Sequence, residues 1–202
     1  LDAALICTSP LSHAAIIKEC LQNNLHVFTE INLVSDGYKE NMKLAKEKGS
    51  KTLAVVNVIG STIAREADYV LYTAAGPEIS VASTKAYTTQ LGCMYLMAIK
   101  FAYTLDKISQ EQYKNYLNEL LAIPDKIKEI LNKQDQIQRF ASKEFNADSI
   151  FFIGRGLDYY LSMEASLKLK EISYIHSEAY AGGELKHGTI ALIEEGTLVV
   201  AP

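Results

Sequence analysis

Apolar and polar positions follow two rhythms along this chain. Short, largely uncharged runs stand at residues 3–8, 26–29, 52–58 and 69–73. Their β-branched and aromatic content predicts strands. The run at 52–58 carries no charge, as a strand covered on both faces requires. Between the runs the spacing becomes helical. Ile16, Ile17, Cys20 and Leu21 mark one face of a helix over 12–23. A second helix is predicted over 36–48, with Asp36 as its cap and Gly49 just past its end. A βαβα order of this kind predicts an α/β fold with a parallel sheet and helices on both faces.

The later chain has longer periods. Residues 83–105 read as one helix, apolar on most sides, and such a helix is expected to be buried, here between domains or subunits. Over 110–145, Tyr113, Leu117, Leu120, Leu121, Ile127, Ile130, Leu131, Ile137 and Phe140 form one apolar stripe opposite charged positions. Pro124 is expected to start a new helix there or to kink the old one. A second α/β region follows: a strand at 149–153, the turn Gly154-Arg155-Gly156, a helix over 159–174 and a strand at 198–201.

Composition narrows the function. The 202 residues fit one or two domains with a real core. With 49% apolar and 22% charged residues the chain is globular in type. A net charge of -4 lacks the basic footprint of a nucleic-acid binder. Small anions remain possible ligands through backbone N–H groups. Cys7, Cys20 and Cys93 stand far apart with no CxxC, which predicts reduced, buried thiols. His13, His26, His176 and His187 show no metal-ligand spacing, so no metal is expected. The apolar stretch 91–102 is broken by Lys100 and falls short of the ~20 residues a membrane span needs. Leu1 lies inside an apolar run without a basic flank, unlike a signal peptide. The chain reads as a cytoplasmic piece cut at both ends.

Several groups could carry chemistry. The Gly154-Arg155-Gly156 turn follows a strand and opens a helix, a context for phosphate or sugar binding or for a plain tight turn. A dinucleotide fingerprint would need glycine where Tyr159 stands. Glu164, Lys168 and Glu171 share a helix face. They form either a solvated ladder, contributing ~0.2–0.5 kcal/mol per pair, or the start of an acid–base cluster. His176, Glu178, Glu184, Lys186 and His187 follow closely, with Gly182 and Gly183 permitting a sharp turn. Residues 77–90 hold Ser80, Ser83, Thr84, Thr88 and Thr89 around Lys85. These hydroxyls either cap a helix or face a polar ligand. His13, after Ser12, reads as a capping or surface histidine.

From about Ser50 the chain resembles the isomerase half of the glutamine–fructose-6-phosphate aminotransferases, which consists of two sugar isomerase (SIS) domains. The resemblance runs through residues 53–58, Gly60-Ser61, Arg65-Glu66-Ala67-Asp68 and residues 76–91, including Val81-Ala82-Ser83-Thr84-Lys85-Ala86-Tyr87. It is densest in Leu167-Lys168-Leu169-Lys170-Glu171-Ile172-Ser173-Tyr174-Ile175-His176 and Gly183-Glu184-Leu185-Lys186-His187-Gly188. Thr189 replaces the proline usual after that His-Gly pair, which alters the turn and not the imidazole. Residues 1–49 are instead similar to the Gfo/Idh/MocA dehydrogenases, through Asp2–Pro10, His13, His26-Val27-Phe28 and Glu30. Glu30-Ile31-Asn32 departs from the Glu-Lys-Pro of that family, and its glycine-rich loop is missing.

The resemblance implies a doubly wound, flavodoxin-like SIS fold with the second SIS unit truncated. Its divisions would be a Rossmann-like fragment at 1–49, an incomplete first SIS domain with a helical linker at 50–145, and half of a second at 146–202. It implies synthesis of glucosamine 6-phosphate from fructose 6-phosphate and glutamine-derived ammonia, without metal or organic cofactor. Glu171 would be the base moving a proton between C1 and C2. Lys168 would stabilise charge on a sugar oxygen. His187 would open the ring from the neighbouring subunit of a homodimer, and Val81 and Ser83 would line the sugar pocket. The glutaminase domain, the family's Ser/Thr phosphate loop and its C-terminal lysine are missing, with Ser35-Asp36-Gly37 the nearest surrogate for the loop. This fragment alone is therefore expected to be inactive. The alternatives are a non-catalytic SIS module that binds sugar phosphate and a NAD-dependent dehydrogenase fragment.

Overall fold

The computed structural model describes residues 2–30 and 37–202. The chain divides into two compact units, Leu1–Tyr72 and Thr73–Pro202. In the first, β1 (Ala3–Ile6), α1 (Pro10–Gln22), β2 (His26–Thr29), α2 (Tyr38–Glu47), β3 (Leu53–Val56), α3 (Thr62–Glu66) and β4 (Tyr69–Tyr72) alternate as the pattern predicts. β1 pairs with β2 and β3 with β4, both in parallel. The strands thus form two separate ladders. Ile6, Leu21, Ala45, Ala54 and Val56 are buried.

Local chemistry sets the ends of these elements. Pro10 occupies the first turn of α1, where its missing N–H costs nothing. Asn24 takes a positive φ, and the N–H of Leu25 returns to the Cys20 carbonyl. Gly49, at φ +71°, closes α2 as its position in the sequence predicts. Asp36, expected to cap α2, lies outside the described residues, as does Ser35. The cap position itself is held by Gly37. The carboxylate of Asp68 accepts the N–H and the O–H of Thr52, both at 2.8 Å. This fastens the start of β4 to the start of β3.

His13 differs from the expectation. It is neither a cap nor a surface residue; it is fully buried. It sits one and two helical turns before Ile17 and Leu21, which places it on the face of α1 that packs inward. Its Nε2 accepts the N–H of Thr8 at 3.2 Å. Cys7 also differs: it is exposed, while Cys93 is buried.

The second unit opens with three helices, α4 (Thr84–Thr104), α5 (Gln110–Leu131) and α6 (Gln134–Glu144). α4 packs on α5, with the rings of Tyr103 and Tyr113 stacked at 4.5 Å. Within the single chain α4 is largely uncovered. Only Cys93 is buried, and Leu91, Met94, Tyr95, Leu96 and Phe101 are exposed, because α5 covers one face of α4 and leaves others open. Pro124 neither ends α5 nor starts a new helix. The remaining backbone bonds carry the helix across the one missing donor.

A three-stranded parallel sheet follows, from β5 (Ser149–Gly154), β6 (His176–Ala181) and β7 (Leu198–Val200), in the order β6-β5-β7. Ile150, Phe151 and Phe152 bury the central strand. α7 (Leu157–Ser173) packs on β5 and β6. Serines make a close approach possible. Ser162 and Ser166 are buried, the Ser177 hydroxyl donates to the Ser166 carbonyl at 2.8 Å, and the two Oγ atoms lie 2.9 Å apart. The fold is of the parallel α/β class. Among the described residues no helix is long and apolar enough to cross a membrane.

Candidate functional site

α7 positions the strongest candidates. At 100° per residue, Glu164, Lys168 and Glu171 lie opposite the Ser162–Ser166 face that meets the sheet. Lys168 Nζ donates to Glu171 Oε2 at 2.7 Å and stands 3.7 Å from Glu164 Oε1. The three side chains are only 17%, 22% and 23% exposed for Lys168, Glu171 and Glu164. A solvated ladder would stand in water, and this trio does not. The hydrogen bond from Lys168 to Glu171 holds the lysine pKa above its ordinary value, with both carboxylates adding to the effect. Lys168 is therefore an ammonium donor and not a base.

A second group forms on β6. His176 Nε2 lies 3.6 Å from Glu178 Oε1, and the phenol of Tyr180 donates to Glu178 Oε2. That bond pushes the Tyr180 phenol up to about 12, with burial assisting. Strand alternation puts His176, Glu178 and Tyr180 on one face and Ser177, which meets α7, on the other. The acid–base cluster expected from proximity in sequence is thus two groups on opposite sides of the sheet. Tyr180 was not anticipated, although its two-residue spacing from Glu178 in a strand was the available signal.

None of the other expected residues is hydrogen-bonded or ion-paired to the Lys168–Glu171 pair among the described residues. His187 is exposed in a 3-10 turn, Leu185–His187, and its imidazole makes no hydrogen bond or ion pair among the described residues. Val81 is 88% exposed ahead of α4. Ser83 caps α4, its Oγ accepting the Ala86 N–H at 3.4 Å. Thr88 and Thr89 donate back to the carbonyls of Thr84 and Lys85, each at 2.9 Å. These hydroxyls are occupied within their own helix. Among the described residues no three His, Cys, Asp or Glu side chains are grouped to hold a metal.

Known proteins are similar to this chain in sequence and in fold. The glutamine–fructose-6-phosphate aminotransferase (isomerizing) of Caldanaerobacter subterraneus subsp. tengcongensis is 58% identical over 160 residues, 79% of this chain and 26% of that protein. That of Clostridium acetobutylicum is 54% identical over the same length. The chain spans about a quarter of the length of the curated relatives it matches. Among solved structures, the C-terminal domain of glucosamine-fructose-6-phosphate aminotransferase from Francisella tularensis superimposes with a TM-score of 0.76 at 31% identity. That match takes in 98% of this chain and 63% of the other. It therefore includes strands that precede residue 34, where the family match begins. SIS domain features occupy residues 34–101 and 145–201, and on this match over more than half its length the chain belongs to the SIS domain family.

Proposed function

We propose that this chain supplies part of the isomerase centre of a glutamine–fructose-6-phosphate aminotransferase, which makes glucosamine 6-phosphate. The observation that carries the reading is the Lys168–Glu171 pair, joined at 2.7 Å on α7 and largely withdrawn from water. Ammonia adds to the C2 carbonyl of open-chain fructose 6-phosphate, and loss of water leaves an imine. A proton must then leave C1 and arrive at C2, while the C1 hydroxyl becomes the aldehyde and its proton goes to the imine nitrogen, which becomes the amine. Glu171 is the carrier of that proton, because one carboxylate can reach both carbons. Lys168, held as an ammonium one turn earlier, stabilises negative charge on a sugar oxygen.

His187 fits ring opening, since an imidazole both gives and takes a proton near neutrality. Exposed in its 3-10 turn, it would serve a second copy in a homodimer. Val81 and Ser83 would line the sugar pocket, and a glutaminase domain outside this chain would supply ammonia. The setting is a cytoplasmic enzyme.

The test is a chimera of the Caldanaerobacter relative in which the 160 matching residues are replaced by this chain's. Ammonium-dependent formation of glucosamine 6-phosphate is expected. Glu171→Gln keeps size and hydrogen bonding but cannot take up a C–H proton. It should lower kcat by ~10²–10⁴-fold and leave KM nearly unchanged. An active chimera whose kcat is indifferent to Glu171→Gln would overturn the assignment.

A further inference from the structure

The side of α7 that meets the sheet is made of hydroxyls. Ser162 and Ser166 are the buried residues of that helix, while Leu161, Met163, Leu167 and Ile172 are exposed. No bulky side chain of α7 is fully buried, so no large knob seated in the sheet fixes how the helix is turned about its axis. That rotation matters to the far side, where Lys168 and Glu171 stand. A turn of about 10° at an outer radius of ~5–6 Å moves side-chain ends by about 1 Å. A misplacement of about 1 Å can cost a reaction about 100-fold.

Two directional bonds hold the rotation. Ser177 lies on β6 in register with Ile150 of the buried central strand, so the sheet sets its place. Its hydroxyl donates to the Ser166 carbonyl at 2.8 Å. Its single proton is used there, so the 2.9 Å contact between the two Oγ atoms is a donation from Ser166 to Ser177. One residue of the sheet thus grips one residue of the helix by main chain and side chain together, and both residues are withdrawn from water. Ser166 stands two residues from Glu164 on one side and two from Lys168 on the other, about 3 Å along the axis from each. Ser162, one turn earlier and equally buried, has no hydrogen-bond partner for its Oγ among the described residues. Burial alone therefore does not create the grip.

We infer that Ser177 is a positioning residue of the isomerase centre, setting the rotation of α7 through its two bonds to Ser166 and so the place of Lys168 and Glu171 against the sugar. This rests on the isomerase reading, and the test separates the two. Steady-state kinetics of the Caldanaerobacter chimera with fructose 6-phosphate and saturating ammonium are measured for Ser177→Ala, Ser166→Ala, the double variant, Ser162→Ala and Glu171→Gln. Ser177→Ala removes both bonds and should lower kcat about 10-fold with KM nearly unchanged. Ser166→Ala keeps the bond to the carbonyl and should lower kcat less. The double variant should match Ser177→Ala, because no bond remains for the second change to remove. Ser162→Ala takes the same atom from the same face without losing a bond and should keep the parental kcat. Circular dichroism confirms that each variant is folded, and Ser166→Ala against Ser162→Ala decides if Ser177→Ala is not. Parental kcat in Ser177→Ala, whatever its KM or melting temperature, beside lost turnover in Glu171→Gln would overturn this inference alone. An inactive chimera, or one indifferent to Glu171→Gln, would overturn the isomerase reading and this inference with it.

Discussion

At residue scale, Asp68 shows how one side chain sets a strand pair. Its carboxylate takes two hydrogen bonds from Thr52, and these bonds hold its pKa below the ordinary carboxylate value. A depressed folded pKa contributes stability that is present above the unfolded value of 3.8 and is lost as pH falls through the folded value. Asp68→Ala should therefore melt below the parent at pH 7, and the gap should close as the buffer is taken below pH 3.8. A gap independent of pH would mean that the carboxylate charge has no part in it. Lys168 has the opposite sign. Its raised pKa contributes stability below the unfolded lysine value of 10.5, lost as pH rises through the folded value. Thermal melts of Lys168→Met should therefore approach those of the parent only in strong alkali. The Lys168–Glu171 pair was legible in the sequence because three- and four-residue spacing alone brings such side chains together. The burial of His13 was not legible, because a polar residue on the inner face of a helix reads the same as one on the outer. The grouping of Tyr180 with Glu178 was not legible because proximity along the chain, and not the two-residue alternation of a strand, marked the candidates there.

At element scale, the seat of α7 on β5 rests on Gly154. A Cβ there would lie 2.3 Å from the carbonyl carbon of Asp158 and from the Tyr159 nitrogen. Both are backbone atoms of the first turn of α7, so no rotamer change relieves the overlap. Gly154→Ala should destabilise the second unit by about 1–3 kcal/mol or more, read as a lowered urea midpoint. A midpoint equal to the parent's would show that α7 can slide on the sheet. The start of α5 offers a gentler case. Ser109 and Gln112 form a reciprocal capping box, with bonds of 3.1 and 2.9 Å. Ser109→Ala should cost about 1 kcal/mol, again by urea melt, and an unchanged midpoint would show that the first turn of α5 is frayed. Helix positions were legible here because apolar period and cap residues agree. The glycine that ends β5 was legible as part of a turn. Its close approach to α7 was not, since the distance is set by how serines such as Ser162 and Ser166 let the helix settle.

At the scale of the whole molecule, the alternation of strands and helices made the parallel α/β class legible. The division into separate ladders was not, because crossover paths and not local pattern decide which strands pair. The apolar sequence of α4 is that of a helix buried between domains or subunits, and in the single chain much of it is exposed. Many large apolar side chains are exposed, among them Leu91, Met94, Tyr95, Leu96 and Phe101 on α4 and Tyr160, Leu161, Met163 and Leu167 on α7. Patches of this kind are rarely left in water. The isolated chain should therefore associate with itself, and sedimentation equilibrium should show a mass rising with concentration above that of the 22.4 kDa monomer. A polar substitution in the middle of such a face, Leu96→Glu, should weaken association while the far-ultraviolet dichroism stays that of the parent. Because the dye 8-anilinonaphthalene-1-sulfonate reports uncovered apolar surface, its fluorescence should rise as the variant dissociates. A chain that remains monomeric at every concentration and binds no dye would show that these faces are covered from within the molecule.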